Sequence, residues 1–253
     1  RTNVTIREVA RMATDTAEMR PDRARVARAW AVHAFTASGA VLGFLALVAT
    51  LEGDLAAAFL WLGAALAVDG VDGTLARRVG VREATPQVDG DALDHVIDYF
   101  TYVAVPVLII HQHGFLPPGW ETPAAALIMG ASCWTFARAD AKTPDAWFVG
   151  FPAAWNLVAL AFHLLGTGPW TNLAVCALCA ALTFAPWKYV HPFRVRAFRR
   201  ITLPLTGAGL AATAWLLLEL PGRVPALAVW VAVALWFAAL TAWRTLREDP
   251  ARG

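Results

Sequence analysis

Residues 67–78 read AVDGVDGTLARR, and residues 90–98 read GDALDHVID. Asp69 and Asp72 stand three apart; Asp94 and Asp98 stand four apart. Either spacing puts a pair of side chains on one face of a helix. The text around them is apolar, so these acids are expensive. An ionised Asp in hydrocarbon costs about 2.5–3.5 kcal/mol, and four together on the order of 10 kcal/mol. Arg77 is close in sequence, but one cation does not neutralise four acids. A divalent ion does. Carboxylate oxygens favour Mg²⁺, Mn²⁺ or Ca²⁺ over zinc, and His95, beside Asp94, points elsewhere on its helix. The plainer alternative is a set of carboxylates facing water at helix ends. Gly73 and Ala76 let a ligand approach the backbone or let helices pack tightly. Arg77, one turn on, is fit to clamp a phosphate. Metal-holding acids, small residues and an arginine together point to a diphosphate ligand, where bridging metal lowers the barrier to displacement at phosphorus.

The elements that must position these residues are membrane helices. Of the 253 residues, 58% are hydrophobic and 16% charged, and the mean hydropathy is +0.52. That excludes an ordinary soluble domain and fits an all-α, polytopic membrane protein. Eight runs are long enough to cross a bilayer, at roughly 29–50, 54–76, 92–112, 123–140, 147–166, 170–187, 201–219 and 224–243. They do not alternate as barrel strands would. If residues 1–28 are cytoplasmic, 20 of the 21 Lys and Arg fall on the cytoplasmic side, with only Arg223 outside. The positive-inside rule then puts both termini in the cytoplasm and all four acids near the inner surface. Residues 1–28 carry seven Arg and read as a basic arm or an interfacial helix, not as a cleavable signal. Residues 29–245 form the transmembrane domain and 246–253 a cytoplasmic tail. Cys133, Cys176 and Cys179 lie in apolar runs and read as packing residues, with no disulfide framework and no metal site.

The pattern Asp69-x2-Asp72-Gly73-x2-Ala76-Arg77, followed by Gly90-x3-Asp94-x3-Asp98, resembles the signature of the CDP-alcohol phosphotransferases. These enzymes move a substituted phosphate from a CDP-linked donor to an alcohol and release CMP. The twelve residues between Arg77 and Gly90, and the stretches PQVDGDALDHVIDYFTYV, FVGFPAAWN and KYVHPFRVR, look like the bacterial branch that joins CDP-diacylglycerol to free choline. The resemblance covers roughly 30–245. It implies that Asp69, Asp72, Asp94 and Asp98 hold two divalent cations, Mn²⁺ or Mg²⁺, and that Asp98 is also the base for the choline hydroxyl. It implies that Gly73, Ala76 and Arg77 contact the CDP moiety and that Gly90 permits close helix approach. It further implies a homodimer in the bacterial inner membrane, with the site at the cytoplasmic face and no nucleic-acid partner.

A quaternary ammonium favours aromatic faces. Tyr99, Tyr102 and Trp155 are candidates for such a cage, with packing as the alternative for each. Asn156 is an acceptor ligand or a helix–helix hydrogen bond. In the basic linker 188–200, Arg194 is a candidate for an anionic lipid head, and positive-inside anchoring is the alternative. Two rivals stay open: serine, glycerol phosphate or an inositol phosphate as acceptor, and a divalent-cation transporter. A transporter would favour acids at the midplane and inverted repeats, and neither is evident.

Overall fold

A computed structural model describes residues 22–192, 195 and 197–247. Ten α-helices and one π-helical turn run along these residues, with short irregular connections. Helix α1 (Arg23–Glu52) and α2 (Leu55–Val79) form an antiparallel pair that makes the most extensive helix contact described. The turn between them is set by side-chain chemistry. Gly53 closes α1 in the left-handed conformation (φ 81°), and the Asp54 carboxylate caps α2 by accepting the Ala57 N–H at 2.9 Å. At the other end, Gly80 (φ 68°) closes α2. The Arg25 guanidinium donates there to the Val79 and Gly80 carbonyls and pairs with Glu83.

The stretch between the two Asp pairs is ordered by its own small core. The single turn α3 (Val81–Ala84) buries Val81 and Ala84 against Ala29 and Val32 of α1. Thr85 bonds buried His33 across that contact at 2.9 Å. Asp89 then caps α4 (Gly90–Asp98) by accepting the Asp91 and Ala92 N–H groups.

From α4 the chain continues through a π-helical turn, Tyr99–Ala104, into α5 (Val105–Gln112). Pro106 supplies the cause. It has no N–H, and its ring crowds the carbonyl four residues back, so the helix widens there. Two glycines of α1, spaced as in GxxxG, receive this segment. A Cβ on Gly39 would lie 2.9 Å from Ile97, and one on Gly43 would lie 2.8 Å from the Phe100 ring.

Helices α6 (Glu121–Ala137), α7 (Trp155–Leu165) and α8 (Pro169–Leu182) complete the central bundle, and α9 (Arg199–Leu217) and α10 (Arg223–Arg247) pair beside it. Trp155, Ile109, Ile128 and Val103 are fully buried at its centre. Among the described residues, four segments are long and apolar enough to cross a membrane: Arg23–Glu52, Leu55–Val79, Gly90–Gln112 and Arg223–Arg247. Helices α7 and α8, with 11 and 14 residues, are shorter apolar segments. At 1.5 Å per residue they reach only about 16 and 21 Å. The protein is a helical membrane protein.

The run expected to span at 147–166 is helical only from Trp155. Ahead of it lies a two-residue strand β1 (Phe148–Val149), paired antiparallel with β2 (Lys188–Tyr189). The irregular backbone here finds partners within the protein, as buried backbone must. The Gly150 and Phe151 N–H groups donate to the Trp187 and Leu182 carbonyls. Trp147, Val190, Val195 and Leu240 form a separate cluster that seats this hairpin-like cap on α10. The basic arm up to residue 21 and the tail from 248 lie outside the described residues; residues 23–28, assigned to the arm from sequence, are already the first turns of α1.

Candidate active site

The two helical periods deliver their acids to one place. Asp69 comes from α2, and Asp94 and Asp98 come from consecutive turns of α4. One carboxylate oxygen of each lies within 4.8 Å of the others. Three like charges this close repel by on the order of 3 kcal/mol per pair at an effective dielectric near 20. A divalent cation removes that repulsion, and an all-oxygen donor set suits a hard ion. The residues present therefore fit a metal, with Asp69, Asp94 and Asp98 as the ones that converge.

Asp72 is placed differently. It is 5% exposed, and its carboxylate accepts a hydrogen bond from Thr36 of α1 at 2.9 Å. It stands within electrostatic range of Asp98, but outside the tightest group. Tyr102, from the π-helical turn, donates its hydroxyl to Asp69 at 2.7 Å. That bond orients a metal-competent carboxylate, so Tyr102 serves the acid cluster in this structure and does not stand as a free aromatic face.

The other expected acceptor contacts are engaged elsewhere. Tyr99 turns to α6, donating to the Met129 carbonyl at 3.2 Å and packing edge-on against Phe136. Trp155 is fully buried and donates its indole N–H to Ser132 at 2.8 Å. Asn156 is buried, and its side-chain oxygen accepts the N–H of Leu157. These three are packing and capping residues here. On α2, Gly73 is half-buried, and Ala76 packs against the small core under α3. Arg77 is exposed and bonds Thr74 at 3.2 Å, one turn beyond the acids. At Gly90 a Cβ would meet His33 at an ordinary 3.7 Å, so close approach does not require glycine there. Arg194 lies outside the described residues.

Sequence reasoning missed Thr36 and Lys142. Thr36 is a polar residue inside an apolar run, which is a weak signal that its hydroxyl has a partner. Lys142, after α6, acts electrostatically on Asp98. Nothing in its local sequence announces this, because the chain between α6 and β1 is irregular.

Below the acids the cap is held by ionic contacts. Arg138 reaches both oxygens of Asp140, at 2.7 and 2.8 Å, and the Val149 carbonyl. The Arg138 hydrogen bonds hold the exposed Asp140 carboxyl below its ordinary range. An open cavity of about 560 Å³ lies at the other end of α1 and α5, lined by Thr50, Glu52, His111, His113 and Glu121 among others. His113 there is bonded to the Thr50 carbonyl and His111 to Thr122. The carboxylates converge at the opposite end, and so does the chemistry.

Fold and site together define an integral-membrane protein with a metal-competent carboxylate centre shared by two consecutive helices. The profile of the CDP-alcohol phosphatidyltransferases matches residues 31–187. A phosphatidylcholine synthase of Pseudomonas aeruginosa is 44% identical over 88% of this chain and 94% of its own. Those of Mesorhizobium japonicum and Borreliella burgdorferi are 42% and 34% identical, over 71% and 70% of this chain and 67% and 76% of theirs. The chain belongs to the CDP-alcohol phosphatidyltransferase family.

Proposed function

We propose that the protein is a phosphatidylcholine synthase, transferring the phosphatidyl group from CDP-diacylglycerol to choline with release of CMP. The observation that carries the chemistry is the convergence of Asp69, Asp94 and Asp98 oxygens within 4.8 Å. The shared name of the relatives supports choline as acceptor.

Asp69, Asp72, Asp94 and Asp98 would hold two divalent ions, Mn²⁺ or Mg²⁺. When bound, such ions neutralise the diphosphate and stabilise charge on the transferring phosphoryl group. Gly73, Ala76 and Arg77 line the same helix face one turn further on and would meet the cytidine diphosphate. Asp98 accepts the proton of the choline hydroxyl. The alcohol oxygen forms a bond to the β-phosphorus, the bond from that phosphorus to the bridging oxygen breaks, and CMP leaves with that oxygen. Tyr102 keeps Asp69 oriented, and Thr36 does the same for Asp72.

The charge pattern supports eight crossings with both termini in the cytoplasm, which puts the acids where a lipid donor meets a water-soluble acceptor. The short α7 and α8 would complete their crossings with the protein-buried backbone that flanks them. The setting is the bacterial inner membrane, and the resemblance supports a homodimer.

The test is purified protein in detergent with CDP-diacylglycerol, Mn²⁺ and labelled choline, serine or glycerol 3-phosphate in parallel, beside Asp98→Asn. Choline incorporation with equal CMP release, lost in the variant, is the expected result. Incorporation of another alcohol would move the acceptor assignment. Mn²⁺ binding without CMP release from any acceptor would favour the transporter.

A further inference from the structure

Of the residues expected to receive the acceptor's ammonium group, Tyr99 and Trp155 are engaged with α6 and Tyr102 with Asp69, yet a ring in the cap already carries a cation. Phe148 of β1 has the Lys142 ammonium 5.1 Å from its centroid. The His191 imidazole stacks on the same ring, with centroids 5.2 Å apart and planes within 8°. Backbone pairing fixes the group. Lys142 and Phe148 form an antiparallel bridge, and Phe148 is in register with Tyr189 of β2.

This cap stands at the carboxylate end of the bundle. It leaves α6 just after Phe136, which lies edge-on to His95 and Tyr99, the residues that follow Asp94 and Asp98. Arg138 binds the Val149 carbonyl and so ties β1 to the end of α6. Lys142 is exposed and acts electrostatically on Asp98.

We propose that the face of Phe148 held by Lys142 is the binding face for the acceptor's quaternary ammonium, and that choline displaces the lysine from it. This rests on the choline reading given above. The chemistry favours the exchange. A quaternary ammonium has no N–H to donate, so an aromatic face is its natural partner. A lysine ammonium is strongly hydrated and sits on a flexible stem, so it returns to water readily. The swap leaves one positive charge on the ring, so the field at Asp98 is preserved. His191 stiffens the ring from its stacked position. The choline hydroxyl is two carbons from its nitrogen, so fixing the nitrogen restricts where the hydroxyl meets Asp98.

The experiment compares wild type, Phe148→Leu, Phe148→Tyr and Lys142→Met with CDP-diacylglycerol and Mn²⁺. Acceptors are choline and its neutral isostere 3,3-dimethylbutan-1-ol. Phe148→Leu should raise the choline KM about tenfold, leave kcat within about threefold, and shrink the preference for choline over the isostere. Phe148→Tyr should retain both. Lys142→Met should lower the choline KM, because it removes the competing cation. An unchanged KM and preference in Phe148→Leu would overturn the proposal, as would a raised choline KM in Lys142→Met. If Phe148→Leu does not fold, the Tyr and Met variants still decide. A wild type that uses another alcohol and not choline overturns the acceptor assignment, and this proposal falls with it. A wild type that uses choline with an indifferent Phe148→Leu overturns this proposal alone.

Discussion

The carboxylate centre and the cap beside it are built by opposite means. Asp69, Asp94 and Asp98 project from regular helices, each capped by an acid of its own, Asp54 or Asp89. The cap is two two-residue strands and their connections, held by Arg138, by pairing of Arg244 with Asp145, and by a cluster around Trp147. The difference separates two kinds of demand. Ions need oxygen atoms at fixed separations, and packed helices keep such separations. A single-charged alcohol needs a surface that admits and releases it, and irregular chain at the end of the bundle supplies one.

The comparison breaks most sharply at the base. Asp98→Asn should lower kcat by about 10³-fold, within the range typical of general bases, with the choline KM little changed. CMP release measures it. A loss of tenfold or less would remove Asp98 from proton transfer and with it the helix-borne account of catalysis.

Gly43→Ala tests whether the helices really set the separations. The added Cβ meets the Phe100 ring at 2.8 Å. Overpacking of this kind costs about 1–3 kcal/mol, so the thermal midpoint in detergent and the apparent Mn²⁺ affinity should both fall. A midpoint that drops while metal affinity holds would uncouple the α1 contact from the site.

Tyr102→Phe removes only the hydroxyl that bonds Asp69 at 2.7 Å. Metal affinity should weaken about tenfold, as for other outer-shell partners. Mn²⁺ titration followed by electron paramagnetic resonance reads this directly. No change would mean that α2 alone orients Asp69.

The ion pair at the entrance to the cap should yield the smallest effect. Asp140→Asn breaks a bidentate pair on a fully exposed carboxylate. Arg138 lowers the folded-state pKa of Asp140, so the pair adds stability above the ordinary carboxylate value and loses it as pH falls through the lowered one. Exposure screens the effect. The thermal midpoint near neutral pH should move by no more than about 1 °C. A larger shift, persisting below the carboxylate range, would show Asp140 to be structural in some other way.

The same contrast governs what the sequence discloses. Asp69, Asp72, Asp94 and Asp98 are legible because helical periodicity turns spacing into direction. The ends of α2 are legible for a similar reason, since Asp54 and Gly80 are local signals. Phe148, Lys142 and His191 are not, because their meeting depends on a pairing between strands of two residues each, some forty positions apart. Trp155 is open in sequence between acceptor contact and packing, because an aromatic beside a polar residue looks the same whether its N–H faces a ligand or, as here, Ser132. The extended stretch before α7 was hidden by its own hydrophobicity, which cannot separate a buried strand from a span.

The π-helical turn at Tyr99–Ala104 has one further consequence, for insertions and deletions. A π-turn holds one more residue than an α-helical turn of the same rise. Deleting a single residue from it would let the helix close to α geometry at no loss of backbone hydrogen bonds. Everything downstream would then keep nearly its present direction relative to Asp94 and Asp98, because one full turn is still closed over the same rise. Ile109 and Ile110, 0% and 1% exposed, would stay on the core. A one-residue deletion here is thus expected to be better tolerated than one within α4 or α5, which would turn everything downstream by about 100°, as long as Tyr102 and its bond to Asp69 are kept.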